Sequence, residues 1–148
     1  MHDPSLDAYS PPCHNAAVAE HPNAILVRRL FDAFRTRDVA TIVAALPDDL
    51  VWHFPGRRGR LAGAHRGRDA VLAFLANVSV LTDQTFHLDL DDVTASDRHV
   101  VALFRGHGER DGKVLDNPTC LRMRIKDGRI AEVWEFVWDL YAVDDFWS

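Results

Sequence analysis

Two Asp-Gly pairs, Asp111-Gly112 and Asp127-Gly128, constrain this chain more than any other feature. Each sits between β-rich runs: His99 to Arg110, Val114 to Lys126, and Ile130 to Asp139. Asp-Gly suits the two positive-φ positions of a tight hairpin, so the spacing predicts three long antiparallel strands in a meander. A fourth run precedes them. In it Phe86, Leu88 and Leu90 alternate with His87, Asp89 and Asp91, and Ser96-Asp97-Arg98 makes the turn. The last run, IAEVWEFVWD, places acidic groups among large apolar ones. Glu132 and Glu135 have opposite parity, so one points into the protein and the other out. A carboxylate on the buried side of an aromatic-rich strand requires a structural partner or chemistry.

The first half reads as helical. Val27, Leu30, Phe31 and Phe34 fall on one helix face, with Arg28, Arg29, Asp32 and Arg35 on the other. Asp38 can cap a short helix, Val39 to Leu46, which Pro47 ends. Leu50 to Phe54 alternates as a strand, closed by Pro55-Gly56; Trp52 and Phe54 share one face and Val51 and His53 the other. Gly56 to Gly67 reads as a Gly- and Arg-rich loop. A third helix begins at Arg68-Asp69, with Val71, Phe74, Leu75 and Val78 as its apolar stripe. The C-terminal LYAVDDFWS is amphipathic enough to fold back over an opening. The order is α+β, with about three N-terminal helices packed on one face of a curved, mostly antiparallel sheet.

A length of 148 residues suits one domain with one sizeable core. A net charge of −5 argues against a nucleic-acid partner, and no apolar run reaches membrane-spanning length. Cys13 and Cys120 form no framework, which fits free thiols in a reducing compartment. Residues 1–22 hold four of the seven prolines and no apolar periodicity, so they read as a mobile leader before a domain over 23–148. This start lacks a secretory pattern, and a cytoplasmic location is expected. His2, Cys13, His14 and His21 match no metal-ligand spacing, so neither a metal nor a cofactor is expected.

Three runs together resemble a known family: DVATIVAALPDDLVWHFPG (Asp38 to Gly56), LAGAHRGRDAV (Leu61 to Val71) and DGRIAEVWEF (Asp127 to Phe136). They look like the SnoaL-like branch of the nuclear transport factor 2-like superfamily, over about residues 24–148. That resemblance implies a cone-shaped α+β barrel with a pocket between the concave sheet and the helices, and often a dimer. It does not imply one activity, because the superfamily hosts isomerases, polyketide cyclases, epoxide hydrolases, dehydratases and proteins without chemistry.

Parity, helped by the resemblance to ketosteroid isomerase, leaves two assignments. One turns Trp52, Phe54, Ala102, Phe104, Gly106, Leu121, Met123, Val133, Glu135 and Val137 inward. The reverse turns in His53, Arg105, His107, Arg122, Arg124 and Glu132, burying several charges at a cost of several kcal/mol each unless paired. The first is favoured, with Gly106 making room beside Phe104. Phe54, Leu30 and Leu121 then stand where ketosteroid isomerases carry their aspartate base and two oxyanion donors, so that mechanism is not expected here. The arginine and paired aspartates of the epoxide hydrolase relatives find no inward place either.

Glu135 is the best remaining polar group, its carboxyl raised by desolvation among Trp52, Phe54, Phe104 and Val133. Its structural alternative is a bond to backbone or to Tyr141. His53 is the second candidate, should the strand twist its ring to the pocket mouth. Trp52, Phe54, Phe104, Leu121, Met123, Val133 and Val137 are expected to bind a small apolar substrate. His65 and Arg66 read as solvated loop residues and Asp139 as a helix cap, while Arg105 and His107 face out opposite Arg122 and Glu132. The outward Trp134, Phe136 and Trp138 predict a homodimer through the convex sheet, unless the C-terminal segment covers them. Two functions stay open: a cofactor-independent acid–base enzyme of isomerase, cyclase or hydratase type, or a binding or assembly module using the same pocket.

Overall fold

The computed structural model describes residues 19–148. Most of the proline-rich leader, with His2, Cys13 and His14, lies outside the described residues. His21 caps the first helix, α1 (Pro22–Thr36): its Nδ1 accepts from the Asn23 N–H at 3.1 Å, and its Nε2 meets Asp97 at 3.1 Å. Asp38 caps α2 (Val39–Ala45) by accepting from the Thr41 N–H. Strands β1 (Val51–Phe54) and β2 (Gly63–Arg66) follow, then α3 (Arg68–Leu81). The remainder is β3 (His87–Ala95), β4 (His99–Arg110), β5 (Lys113–Lys126), β6 (Arg129–Val137) and α4 (Leu140–Phe146). Among the described residues no helix is long and apolar enough to cross a membrane.

The six strands form one curved sheet in the order β2-β1-β6-β5-β4-β3, antiparallel throughout except where β1 lies parallel to β6. The sheet does not close, so the fold is an α+β cone with β2 and β3 as its edges. Asp111, Gly112, Asp127 and Gly128 all have positive φ, between 51° and 76°, as two-residue hairpin turns demand. They lock Arg110 against Lys113 and Lys126 against Arg129.

β2 corrects the reading of Gly56 to Gly67 as all loop: Gly63 to Arg66 pairs with β1, Trp52 opposite His65. GAHR has no β-branched run, so its strand state comes from the partner strand. His65 is accordingly half-buried rather than a free loop residue. It stacks on Phe74 with centroids 4.3 Å apart and bonds the Leu61 carbonyl at 2.8 Å. A second correction concerns Gly106. A Cβ there would touch the Phe86 ring at 3.4 Å, and one on Gly108 would meet it at 3.1 Å, so both glycines make room for Phe86.

The favoured parity holds. Trp52, Phe54, Ala102, Phe104, Leu121, Met123 and Val133 are buried between the concave face and the helices, where Val27, Leu30, Phe31, Val71 and Phe74 meet them. A bulge between Arg124 and Ile125 lets Ile130 and Val133 both face inward despite opposite parity. Both glutamates of β6 lie beyond it, so they stay on opposite faces.

The C-terminal segment folds back as α4, capped by the Asp139 carboxylate accepting from the Ala142 N–H at 3.0 Å. Val143, Phe146 and Trp147 enter the core, and Trp147 meets Phe54 and Phe86 edge-on or tilted. Asp144 ties the helix to the β1–β2 loop by accepting from the N–H groups of Arg57, Arg58 and Gly59 at 2.7–2.9 Å. Gly56, at φ 117°, has no room for a Cβ beside that carboxylate. α4 does not cover the outer aromatics: Phe136 is 54% and Trp138 85% exposed.

Candidate functional site

A cavity of about 380 Å³ lies between the concave face and the helices. Its walls are apolar: Leu30 and Phe31 from α1, Trp52 and Phe54 from β1, Phe74 from α3, and Phe104, Leu121, Met123 and Val133 from the sheet. This size falls in the ordinary range of small-molecule sites. Phe74 holds the two β1 aromatics in place, its ring 5.6 Å from Trp52 and 5.4 Å from Phe54.

Among the described residues Glu135 is the one carboxylate in the lining. Alternation along β6 puts it two residues from buried Val133 on the same face, opposite Leu121 of β5. The indole N–H of Trp52 donates to Oε2 at 3.2 Å. Oε1 has no protein partner among the described residues, yet is not sealed away, so it is open to the cavity. Protein crowds the carboxyl on every side, while the side chain keeps partial access through the cavity. Desolvation lifts its pKa from 4.5 to about 7, and the Trp52 bond opposes part of that rise. The partner is thus Trp52, not Tyr141, which is exposed. Near neutral pH the group can both give and take a proton.

The other polar lining groups gather on one rim. Arg35 and Arg37 come from the end of α1, Ser79 from the last turn of α3, Gln84 and Thr85 from the following turn, and His87 from the start of β3. Arg37 sits in the left-handed C-cap position of α1 and donates to Gln84 across the rim. Asp83 and Gln84 both have positive φ, 49° and 62°. Sequence reasoning missed this rim, because two elements about fifty residues apart have to meet to build it. Among the described residues Arg37 has no carboxylate partner. Arg35 pairs with Asp32 in an exposed i,i+3 contact.

His53 lies elsewhere. It faces the outer surface, stacks on Trp134 at 5.3 Å and donates to Glu132 at 2.8 Å. No twist brings it into the cavity lining. Glu132 also accepts from Arg124 at 3.3 Å, and these bonds, His53 first, hold its carboxyl below the usual range. Val137 is a further correction: it packs against the core but lines an open groove on the outer face. Arg105 and His107 face out, but opposite Pro118 and Asp116, not Arg122 and Glu132. A two-residue turn at Asp111-Gly112 fixes that register, and counting back from it finds the partners.

Comparison with known proteins agrees with this architecture. Residues 27–133 match the model of the SnoaL-like domain family. The uncharacterised protein Rv0034 of Mycobacterium tuberculosis is 36% identical over 124 residues, covering 83% of this chain and 94% of that protein. Among solved structures, Bal32a from a soil-derived mobile gene cassette superposes with a TM-score of 0.82 at 38% identity, covering 86% of this chain and 97% of that one. A protein of unknown function with a cystatin-like fold from Xanthomonas campestris gives 0.80 at 30% identity, covering 85% and 98%. The chain belongs to the SnoaL-like domain family.

Proposed function

We propose that this protein is a cofactor-independent acid–base enzyme acting on a small, largely apolar molecule, with Glu135 as the proton-transferring group. One observation carries the reading: a carboxyl raised to about 7, open on one oxygen to an apolar cavity and held on the other by Trp52. Such a group moves protons in both directions near neutrality, as isomerisation, aldol-type cyclisation or hydration requires. The substrate presents a carbonyl or hydroxyl to Glu135 and its apolar body to Phe54, Phe74 and Phe104. Any polar or anionic end belongs at the rim, where Arg37 carries an unpaired charge among the described residues. Glu135→Gln tests this against hits from a thermal-shift screen of ketones, epoxides and aromatic polyketide-like compounds. Lost turnover with retained binding supports the role, and unchanged turnover ends it.

A second reading, a binding module without turnover, has its own support. Among the described residues the deep walls hold no donor for an oxyanion developing on a substrate apart from the Trp52 N–H; the other polar groups stand at the rim. Ligand binding with no turnover of any reactive carbonyl or epoxide decides for it.

The outer face supports self-association. Leu103, Phe136 and Trp138 are 43%, 54% and 85% exposed along one open groove, a cluster of large apolar side chains of the kind that marks partner surfaces. A homodimer through this face predicts a species of twice 16.7 kDa at low micromolar concentration, reduced to monomer by Trp138→Asp. A wild-type monomer rules it out.

A further inference from the structure

We propose that His87, Asp89 and His107 form a site for a borderline divalent metal ion such as Zn²⁺ or Co²⁺, on β3 and β4, with His87 standing where this cluster meets the rim of the Glu135 cavity. β3 and β4 pair antiparallel with His87 opposite His107, and Asp89 lies two residues along on the same face of β3. One donor atom from each of the three falls within 4.8 Å of the others. With bonds near 2.0–2.1 Å a tetrahedral ion sets its donors roughly 3.4 Å apart, so closure needs about an ångström of side-chain adjustment. His87 and Asp89 are exposed and free to make it. Two imidazoles and one carboxylate suit Zn²⁺ or Co²⁺ better than the oxygen-seeking Mg²⁺ or Ca²⁺.

The groups behind the imidazoles are what distinguish this cluster from a chance gathering of charges. A metal-binding histidine usually donates its other ring N–H to a carbonyl or carboxylate, which fixes its tautomer and aim. Both histidines have such a partner. His87 Nδ1 lies 3.2 Å from the Thr85 carbonyl, which leaves Nε2 to carry the lone pair. His107 Nδ1 lies 3.4 Å from Asp116 Oδ1, and Arg105 fixes that same oxygen at 2.8 Å. His107 Nε2 then points at Asp89 Oδ2, 2.9 Å away. A divalent ion can take a lone pair from each of these two groups while recruiting His87. The near-parallel stacking of the rings, 4.7 Å apart, keeps both imidazole edges on one side. Three protein ligands leave a coordination position for water.

The test is titration of the full chain with ZnCl₂ by calorimetry, and with CoCl₂ by visible absorption, whose intensity reports a four-coordinate site. The expected result is one ion per chain with micromolar affinity. His87→Gln and His107→Ala, each removing a ligand, should abolish it. Asp116→Asn keeps all three ligands and removes only the group behind His107; it should weaken binding by roughly 10- to 100-fold. His87 is exposed, so its variant folds even if His107→Ala does not. Absence of binding overturns the proposal. So does binding that His87→Gln and Asp116→Asn leave unchanged, which would move the ion to histidines elsewhere, such as those before residue 19.

Discussion

Glu132 and Glu135 stand three residues apart on one strand and behave as opposites. Glu132 faces outward, accepts from His53 and Arg124, and is held below the usual carboxylate range. Glu135 faces the cavity, accepts one bond from Trp52, and is pushed up to about 7. Sequence chemistry is identical; the pleat alone decides which carboxyl meets His53 and Arg124 and which meets hydrocarbon. The outer face spends its charges on one another, whereas the inner face keeps one proton poised.

The largest effect that can break this contrast is catalytic. Glu135→Gln should cut turnover by about 10²- to 10⁴-fold, the usual worth of a positioned acid or base, while Glu132→Gln leaves it within twofold. Steady-state kinetics on a screened substrate check both. Equal losses would mean that the faces do not divide the work in this way.

Stability against pH sharpens the same point. Glu135 binds its proton more tightly folded than unfolded, so folded protein retains a proton that the unfolded chain has lost between pH 4.5 and about 7. Its contribution is therefore full below 4.5, falls as pH rises, and levels off above 7. Glu135→Gln removes this penalty and should be more stable than wild type by up to about 3 kcal/mol at pH 8, and no more stable near pH 4.5. Urea denaturation at the two pH values measures it. Trp52→Phe comes next. It deletes the bond that opposes the rise, so Glu135 should titrate still higher, at a stability cost of about 1 kcal/mol from the lost hydrogen bond.

Glu132→Gln should have the smallest effect. Its lowered pKa gives stability that is present above the unfolded value and lost as pH falls through the folded one. A partly exposed pair of this kind is worth at most about 1 kcal/mol, so wild type and variant should differ slightly at pH 7 and converge in acid. A difference that persists at pH 2 would contradict the pairing as its source.

Much of this contrast was legible in the sequence, because alternation is a strict code once the turns are known. Asp111-Gly112 and Asp127-Gly128 set the hairpins, and avoiding buried Arg105, Arg122 and Arg124 chose the face. Asp38 and Asp139 declared their helix starts by type and position. What stayed hidden depends on partners distant in sequence. β2 is a strand only because β1 lies beside it. The rim of Arg37 and Gln84 needs the end of α1 to meet the turn after α3. His53 is attractive by residue type, but its ring is committed to Trp134 and Glu132 on the far side of the sheet. Val137 follows the inward parity, yet it opens to the outer groove at the strand's end.

The most direct measurement is a carbon-detected NMR titration of the glutamate side-chain carboxyls, assigned with Glu135→Gln and Glu132→Gln. Two signals of β6 should separate to either side of the ordinary value: Glu135 titrating near 7 and Glu132 below 4.5. If Glu135 titrates near 4.5 like a free glutamate, the cavity does not desolvate it, and its role as the proton-transferring group falls.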